Sequence, residues 1–243
     1  MMPAVIRSLV CAVLLGSIVL ATAAHAAPRV EDTIAQRLLA CTGCHGAQGR
    51  AASDGYYPRI AGKPAGYLFN QLLSFRDGRR QYALMANLLA PLTDDYLREI
   101  AAHFSQLELP YPPPQAATAG IDVLTRGEAL VTRGDAALHV PACTQCHGAG
   151  LMGVAPGVPA LIGMPRDYLN AQLGAWRAGS RHAMAPDCMA EVAKKLAPDD
   201  ISALSQWLAA QAVPAGAKPA TALPAPPPLP CGGAPARGPE NAR

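Results

Sequence analysis

The chain has 243 residues and a nearly balanced charge, with 20 Lys and Arg against 17 Asp and Glu. Sparse, mixed charge of this kind lacks the basic footprint of a nucleic-acid-binding protein. The hydrophobic fraction of 51% is raised by alanine and by the N-terminal stretch, so it does not by itself indicate a membrane protein. The length allows one or two domains of ordinary size.

Residues 1–26 have the pattern of an export signal. Arg7 supplies a positive start, an apolar run covers 9–20, and Ala24-His25-Ala26 has the A-x-A form of a cleavage site. The run is too short for a comfortable transmembrane helix. We therefore expect cleavage after residue 26 and a mature chain without an integral membrane segment. An uncleaved N-terminal anchor is the alternative.

The first chemical motif is Cys41-Thr42-Gly43-Cys44-His45, and Cys143-Thr144-Gln145-Cys146-His147 repeats it 102 residues later. A C-x-x-C-H pentapeptide is the attachment site of a c-type haem. Its two thiols add to the vinyl groups of one porphyrin, and its histidine supplies the proximal nitrogen to iron. The sequence therefore predicts two covalent haem c groups, with His45 and His147 as iron ligands and Cys41, Cys44, Cys143 and Cys146 as attachment points.

Other uses of a C-x-x-C pair fit less well. A zinc site would bring two such pairs to one ion and gives no reason for a histidine after each pair. A thioredoxin-like redox motif would sit beside a βαβ pattern, which the sequence lacks. A pair of disulfides is the third alternative. Export favours the haem interpretation, because c-type haems are attached on the outer side of the bacterial cytoplasmic membrane, and so predicts a periplasmic protein.

Helical patterns surround the first motif. Apolar residues recur at helical spacing over 30–40, which leads directly into Cys41, and over 65–76 and 92–107. Thr93 or Asp94 is a good N-cap for the last of these helices. The proline-rich run that follows predicts a stiff linker over 110–119.

The second half of the chain repeats the first. The helix beginning Tyr67-Leu68 corresponds to one beginning Tyr168-Leu169, and the segment 57–62 corresponds to 158–163. The offsets stay between 101 and 104 residues, which indicates gene duplication. We therefore expect two all-α domains, over 27–109 and 120–212.

The remaining segment, 213–243, is rich in proline and alanine and is predicted to be a disordered tail. It contains Cys231, which with Cys188 makes up the cysteines outside the two motifs and the signal. An exported compartment favours a disulfide between these two. The alternative is that the Cys188 thiolate binds the second iron.

A sixth iron ligand is expected for electron transfer, and methionine on the distal side raises the reduction potential. Met85 lies between the first motif and the end of its domain, seven residues before Leu92. Met189 stands the same seven residues before Leu196, whereas Met184 would need twelve. The register therefore predicts Met85 and Met189 as distal ligands, with Met184 as the fallback.

Matching prolines suggest how each proximal histidine is oriented. Such a histidine normally donates its second ring N–H to a carbonyl, which fixes the ring. Pro58 and Pro159 occupy equivalent positions, so a carbonyl near each is the expected acceptor. Loop stiffening by proline is the alternative. Haem propionates are possible partners for Tyr67, Tyr168, Arg59 and Arg166, although surface roles suit these residues equally well.

Together the two C-x-x-C-H motifs, the Y-P-R-I-A-G and V-P-A-L-I-G loops, the Y-L-x-x-Q-L helices and the late methionines resemble dihaem cytochromes of the cytochrome c4 family. The resemblance covers about residues 30–212. It implies two tandem class I cytochrome c domains packed as a pseudo-twofold pair, each with a His/Met-ligated haem. It also implies a periplasmic carrier of single electrons, rather than an enzyme, between a respiratory donor and an acceptor such as a terminal oxidase.

Redox proteins, including membrane-bound respiratory complexes, are the expected partners. Two alternatives stay open at this point. One is an electron-transfer subunit of a dehydrogenase complex, since similar domain pairs serve in that way. The other is a dihaem enzyme, a peroxidase or a thiosulfate-oxidising protein, in which Cys188 influences the second haem.

Overall fold

The computed structural model describes residues 31–52 and 56–234. Within these ranges the chain is helical, and its extended segments form isolated β-bridges rather than strands. The expected signal over 1–26 lies outside the described residues. No helix of the described part combines the length and the apolar character needed to cross a membrane.

The three predicted helical stretches of the first domain are present, with a break in the first of them, and a further helix over Ala83–Leu89 is one that the sequence pattern does not predict. The expected helix over 30–40 is broken at Leu38, whose buried side chain enters the core while its backbone (φ −89°, ψ 8°) ends one helix and begins the next. The second of these helices therefore includes the whole first haem motif. The helices are α1 (Ile34–Arg37), α2 (Leu39–His45), α3 (Ala65–Arg76), α4 (Ala83–Leu89) and α5 (Asp94–Ser105).

Helix α5 shows how the sequence sets an element boundary. The Thr93 hydroxyl accepts a hydrogen bond from the Tyr96 N–H at 3.3 Å, as the N-cap prediction requires. Two acidic residues follow in the first turn, where the helix dipole favours negative charge. The buried face of α5, with Leu97, Ile100 and Phe104, packs on α3 and forms the first core together with Leu38.

The second domain repeats this arrangement around its own core. Its helices are α6 (Ile121–Thr132), α7 (Thr144–His147), α8 (Arg166–Arg177), α9 (Cys188–Lys195) and α10 (Pro198–Ala209). Helices α6 and α10 cross closely at Gly127, because a Cβ on that glycine would lie 2.3 Å from the Ala203 carbonyl oxygen. Met152 and Met164 are core residues in this domain.

The two domains meet around a local twofold axis. Arg80 and Arg181 occupy equivalent positions 101 residues apart, and they form an antiparallel bridge with each other. Contact between a residue and its own counterpart is the mark of a symmetric interface. The flanking backbone hydrogen bonds follow the same twofold symmetry. The Gln81 N–H donates to the Ser180 carbonyl at 2.9 Å, and its counterpart, the His182 N–H, donates to the Arg79 carbonyl at 2.6 Å.

The C-terminal segment differs from the expected disordered tail over 213–243. Residues 214–234, called the strap below, lie along the second domain and form defined contacts. The Ala220 N–H donates to the Gly153 carbonyl at 2.9 Å, and its own carbonyl accepts from Ala155 N at 2.8 Å. The composition has too few large apolar side chains to form a core, but the strap is held by backbone hydrogen bonds and by a disulfide. Residues 235–243 lie outside the described part.

The close crossing of α6 and α10 predicts that Gly127→Ala lowers the free energy of unfolding by roughly 1–3 kcal/mol, because the added methyl group overpacks the contact. Gly174→Ala in α8 is the matched control. A Cβ there meets no atom within 4 Å, so that variant should gain about 0.5–1 kcal/mol from helix propensity. Denaturant unfolding of the two holo-variants measures the contrast, and equal effects would contradict the packing argument.

Candidate functional site

Helix α2 brings the three groups of the first haem motif onto one short turn. Cys41 and Cys44 stand one turn apart, and His45 is the last residue of the helix, with only 8% of its surface exposed. The chain then turns away at Gly46, which has φ 75°. A Cβ at this glycine would lie 2.1 Å from the Ala51 carbonyl oxygen, so the turn requires glycine.

The proximal histidines make the same carbonyl contact in the two domains. His45 Nδ1 lies 2.8 Å from the Pro58 carbonyl oxygen, and His147 Nδ1 lies 2.8 Å from that of Pro159. These are the carbonyl contacts that the sequence predicts. A carbonyl only accepts, so Nδ1 carries the proton and the Nε2 lone pair is left for a metal. Burial lowers the pKa of both histidines, which favours the neutral ring that a metal requires.

A cavity of about 690 Å³ lies against the first motif. Cys41, Cys44 and His45 line it, and so does Met85, which α4 carries as its third residue. Most of the remaining lining is apolar: Leu68, Leu72, Phe75, Leu89, Ile100 and Phe104. The structure thus places the predicted proximal and distal residues of the first domain around one apolar cavity of the size that holds a cofactor.

One wall of this cavity, called the basic wall below, lies at the domain interface and is strongly basic. Lys63, Arg80 and Arg181 line it, and none of them forms an ion pair with a carboxylate of the described residues. Desolvation lowers the pKa of Lys63 to about 8 and also lowers the pKa of Arg181, which has Arg80 beside it. Buried cations are costly unless an anion accompanies them.

Two glutamines hold the two arginines in place. Gln71 Oε1 accepts from Arg80 at 3.0 Å and from Arg181 at 2.9 Å. Gln172 Oε1 accepts from Arg181 at 2.7 Å and also from Arg80. Each amide therefore binds the arginine of its own domain and that of the other. The amides supply hydrogen bonds but no charge, so the site stays electropositive.

These cations fit the group that the motifs imply. A haem carries two propionate carboxylates on an otherwise apolar ring, and the cavity combines an apolar lining with cations that lack an anionic partner. Of the residues considered for propionates from sequence, Tyr168 lies 3.4 Å from Arg80 in this cluster and Tyr67 lines the cavity beside it. Arg59 also lines the cavity, and its guanidinium donates to the linker carbonyls of Leu109 and Pro110. Arg166 instead bonds Thr118.

Lys63, Arg80, Arg181 and the two glutamines are site residues that the sequence reasoning missed. The available signal was the constant 101-residue offset that relates Arg80 to Arg181 and Gln71 to Gln172. Lys63 breaks this symmetry, because its counterpart is Met164, whose sulfur it contacts at 3.4 Å.

The second motif is packed more tightly than the first. His147 is 7% exposed, and burial raises the pKa of the Cys143 thiol to about 12. Met189 is the second residue of α9 and packs against the cluster of Trp176, Ala190 and Ala193. Like Met85, the third residue of α4, it lies in the first turn of its helix and seven residues before a leucine. Met184 lies in the loop before α9 and is 38% exposed.

Cys188 is joined to Cys231 in a disulfide, with the two Cα atoms 5.1 Å apart. This pairing is the one that the sequence favours for an exported protein. A disulfide sulfur is not a thiolate, so in this state Cys188 does not supply an anionic ligand to the second haem.

Comparisons with known proteins agree with this chemistry. The family model for cytochrome c matches residues 125–212. The thiosulfate dehydrogenase electron acceptor of Thiomonas intermedia is 38% identical over 76% of this chain and 85% of its own. The cytochrome c4 of Pseudomonas aeruginosa is 34% identical over 69% of this chain and 82% of its own.

Solved structures show the same likeness. The reduced cytochrome c4 of Pseudomonas stutzeri superposes with a TM-score of 0.61 at 30% identity, over 72% of this chain and 94% of its own. The thiosulfate dehydrogenase (TsdBA) of Marichromatium purpuratum superposes with a TM-score of 0.63 at 34% identity. The match covers 71% of this chain but only 36% of that one.

The basic wall of the cavity predicts that Lys63→Met lowers the midpoint potential of the first haem when it is bound, on the order of tens of millivolts. Removing a buried cation stabilises the more positive oxidised haem relative to the reduced one. Spectroelectrochemical titration measures the shift. Lys218→Met is the control, because that lysine is exposed and its charge is screened by solvent. A potential that rises, or that moves equally in the control, would contradict the prediction.

Proposed function

The chain belongs to the cytochrome c4 family of dihaem c-type cytochromes, and on that premise we propose that it carries single electrons in the periplasm from a thiosulfate dehydrogenase to a respiratory acceptor such as a terminal oxidase. The observation that carries the choice of donor is the 38% identity to a protein named for accepting electrons from that enzyme, over 85% of its length. The periplasmic location is supported by the N-terminal signal pattern, and cytochromes c4 are generally periplasmic.

In this function, the chain's own residues would hold the two irons and orient the two proximal histidines. When bound, each haem c supplies the one-electron chemistry. His45 with Met85 would hold the iron of the first haem, and His147 with Met189 would hold that of the second. The carbonyls of Pro58 and Pro159 hold each histidine with Nε2 free for the metal. A ligand set that stays the same in both oxidation states keeps the reorganisation on electron transfer small.

The twofold contact supports transfer between the two sites. The basic wall of the first cavity is formed by residues of both domains, among them Gln71, Arg80, Gln172 and Arg181. The second domain therefore closes part of the first haem site. An electron received at one domain can pass within the molecule before an acceptor docks at the other.

A fixed electron-transfer subunit is the second candidate. The match to about a third of the TsdBA chain favours it, because a domain pair like this one forms part of that larger protein. A dihaem enzyme is less well supported. Such an enzyme needs an open or replaceable distal site. Cys188, whose thiolate is the alternative to methionine at the second iron, is instead bonded to Cys231 in a disulfide.

The ligand assignment predicts that Met85→Ala and Met189→Ala each remove one half of the Met-to-iron charge-transfer absorbance of the oxidised protein. Met184→Ala should leave it unchanged, because that side chain is 38% exposed and out of register with Met85. Visible spectra normalised to haem content measure these fractions. Loss of half the band in Met184→Ala would contradict the choice of Met189.

The donor is tested with the purified oxidised holoprotein. Thiosulfate together with a thiosulfate dehydrogenase should reduce both haems, whereas thiosulfate alone should not. Stopped-flow absorbance of the reduced haem bands gives the rate, and oxidation by a membrane fraction containing a terminal oxidase tests the acceptor. Reduction by thiosulfate alone would favour the enzyme. A stable stoichiometric complex in size-exclusion chromatography would favour the fixed subunit.

A further inference from the structure

The strap reaches the segment that carries the proposed distal ligand of the second haem. Its disulfide joins Cys231 to Cys188, the residue next to Met189. The Gly232 N–H donates to the Pro186 carbonyl at 2.9 Å, three residues before Met189. The strap is therefore attached to this segment both covalently and through the backbone.

The contact at Gly232 is close as well as bonded. A Cβ on this glycine would lie 2.2 Å from the Ala185 carbonyl oxygen, so the strap backbone lies directly against the loop over 183–187. On the protein side, the Asp187 carboxylate accepts from the Ala183 N–H at 2.7 Å and from the Ala190 N–H at 3.0 Å. The start of α9 is thus held by its own cap and by the strap together.

In the first domain, Met85 also stands seven residues before a leucine, but its helix contains no cysteine through which a disulfide could anchor it. Leu84 precedes Met85 as Cys188 precedes Met189, and this leucine is 62% exposed. Tyr82, the N-cap residue of α4, makes no side-chain cap hydrogen bond. The duplicated domains therefore present two versions of one distal segment, and among the described residues only the second is joined by a disulfide to a distant part of the chain.

We propose that the disulfide-anchored strap is a positioning element that holds Met189 on the iron of the second haem. The inference rests on the proposed ligation by Met189. A methionine ligand leaves iron when its helix start moves away, and the cross-link restricts that movement. The disulfide joins residues 43 apart, so it removes a large set of alternative conformations of the strap and the loop.

The strap also touches the first domain, and this contact provides a control. Asn70 Nδ2 donates to the Gly233 carbonyl at 3.0 Å. Asn70→Ala removes this hydrogen bond between the domains but leaves the disulfide and the Gly232 contact in place. If the strap acts directly on Met189, this change should leave the binding of Met189 unaltered. If the strap acts by holding the two domains together, the change should weaken that binding.

The test is competition by imidazole for the distal position in the oxidised holoprotein, followed through the Met-to-iron charge-transfer band. Met85→Ala and Met189→Ala assign the two halves of the band. In Cys188→Ser/Cys231→Ser, imidazole should displace Met189 at a roughly tenfold lower concentration, because only a part of the stabilisation from a disulfide of this loop size acts on the ligand. The half that belongs to Met85 should not move, and Asn70→Ala should resemble the parent protein.

A second variant separates the cross-link from the thiol. Cys231→Ser frees the thiol of Cys188, the residue before Met189, and a change to a thiolate-ligated spectrum in this variant alone would show that the disulfide also withholds a competing ligand. An unchanged imidazole midpoint in the double variant would overturn the proposal. So would equal shifts at both haems, or a shift in Asn70→Ala as large as in the double variant.

Failure of the proposed function has a different appearance. If the parent protein lacks the half-band that Met189→Ala should remove, then Met189 is not the ligand and the strap proposal falls with it. If the half-band is present but indifferent to the disulfide, the ligation stands and the strap proposal alone fails.

Discussion

The contact between Arg80 and Arg181 is the constraint on which the arrangement of the two domains depends. Two guanidinium groups side by side repel each other, and burial adds the cost of removing them from water. Gln71 and Gln172 satisfy their N–H groups without cancelling their charge. The propionate carboxylates of a bound haem would supply the missing negative charge. Domain pairing and cofactor binding would then be parts of one electrostatic arrangement.

This dependence explains why duplication produced a paired protein rather than two domains on a tether. An interface in which each arginine meets its own counterpart is satisfied from both sides by a single set of residues. Departures from symmetry are then informative, because they mark positions where the two halves have separate roles. Lys63 opposite Met164 is one, and Cys188 in the place of Leu84 is another.

Much of this protein could be predicted from its sequence, and the limits have physical causes. The haem motifs, the proline carbonyls and the cap at Thr93 depend on neighbouring residues or on the internal repeat, so spacing is enough to find them. The cationic cluster could not be placed, because a lone arginine in a sequence carries no sign of whether its partner is solvent or another arginine. The sequence favours the Cys188–Cys231 disulfide but does not reveal the order of the strap, because that order comes from backbone hydrogen bonds, whereas the composition is that of a segment without a core.

The disulfide also implies an order of assembly. Apart from Cys11, the chain has six cysteines, of which four must reach the porphyrin as reduced thiols while two oxidise with each other. An oxidising compartment makes any wrong pairing a dead end for haem attachment. In the folded protein, Cys188 and Cys231 are paired because the strap lies against the segment before α9. This pairing leaves the four motif thiols for the porphyrin, so the order to be kept is one of correct sorting among the cysteines.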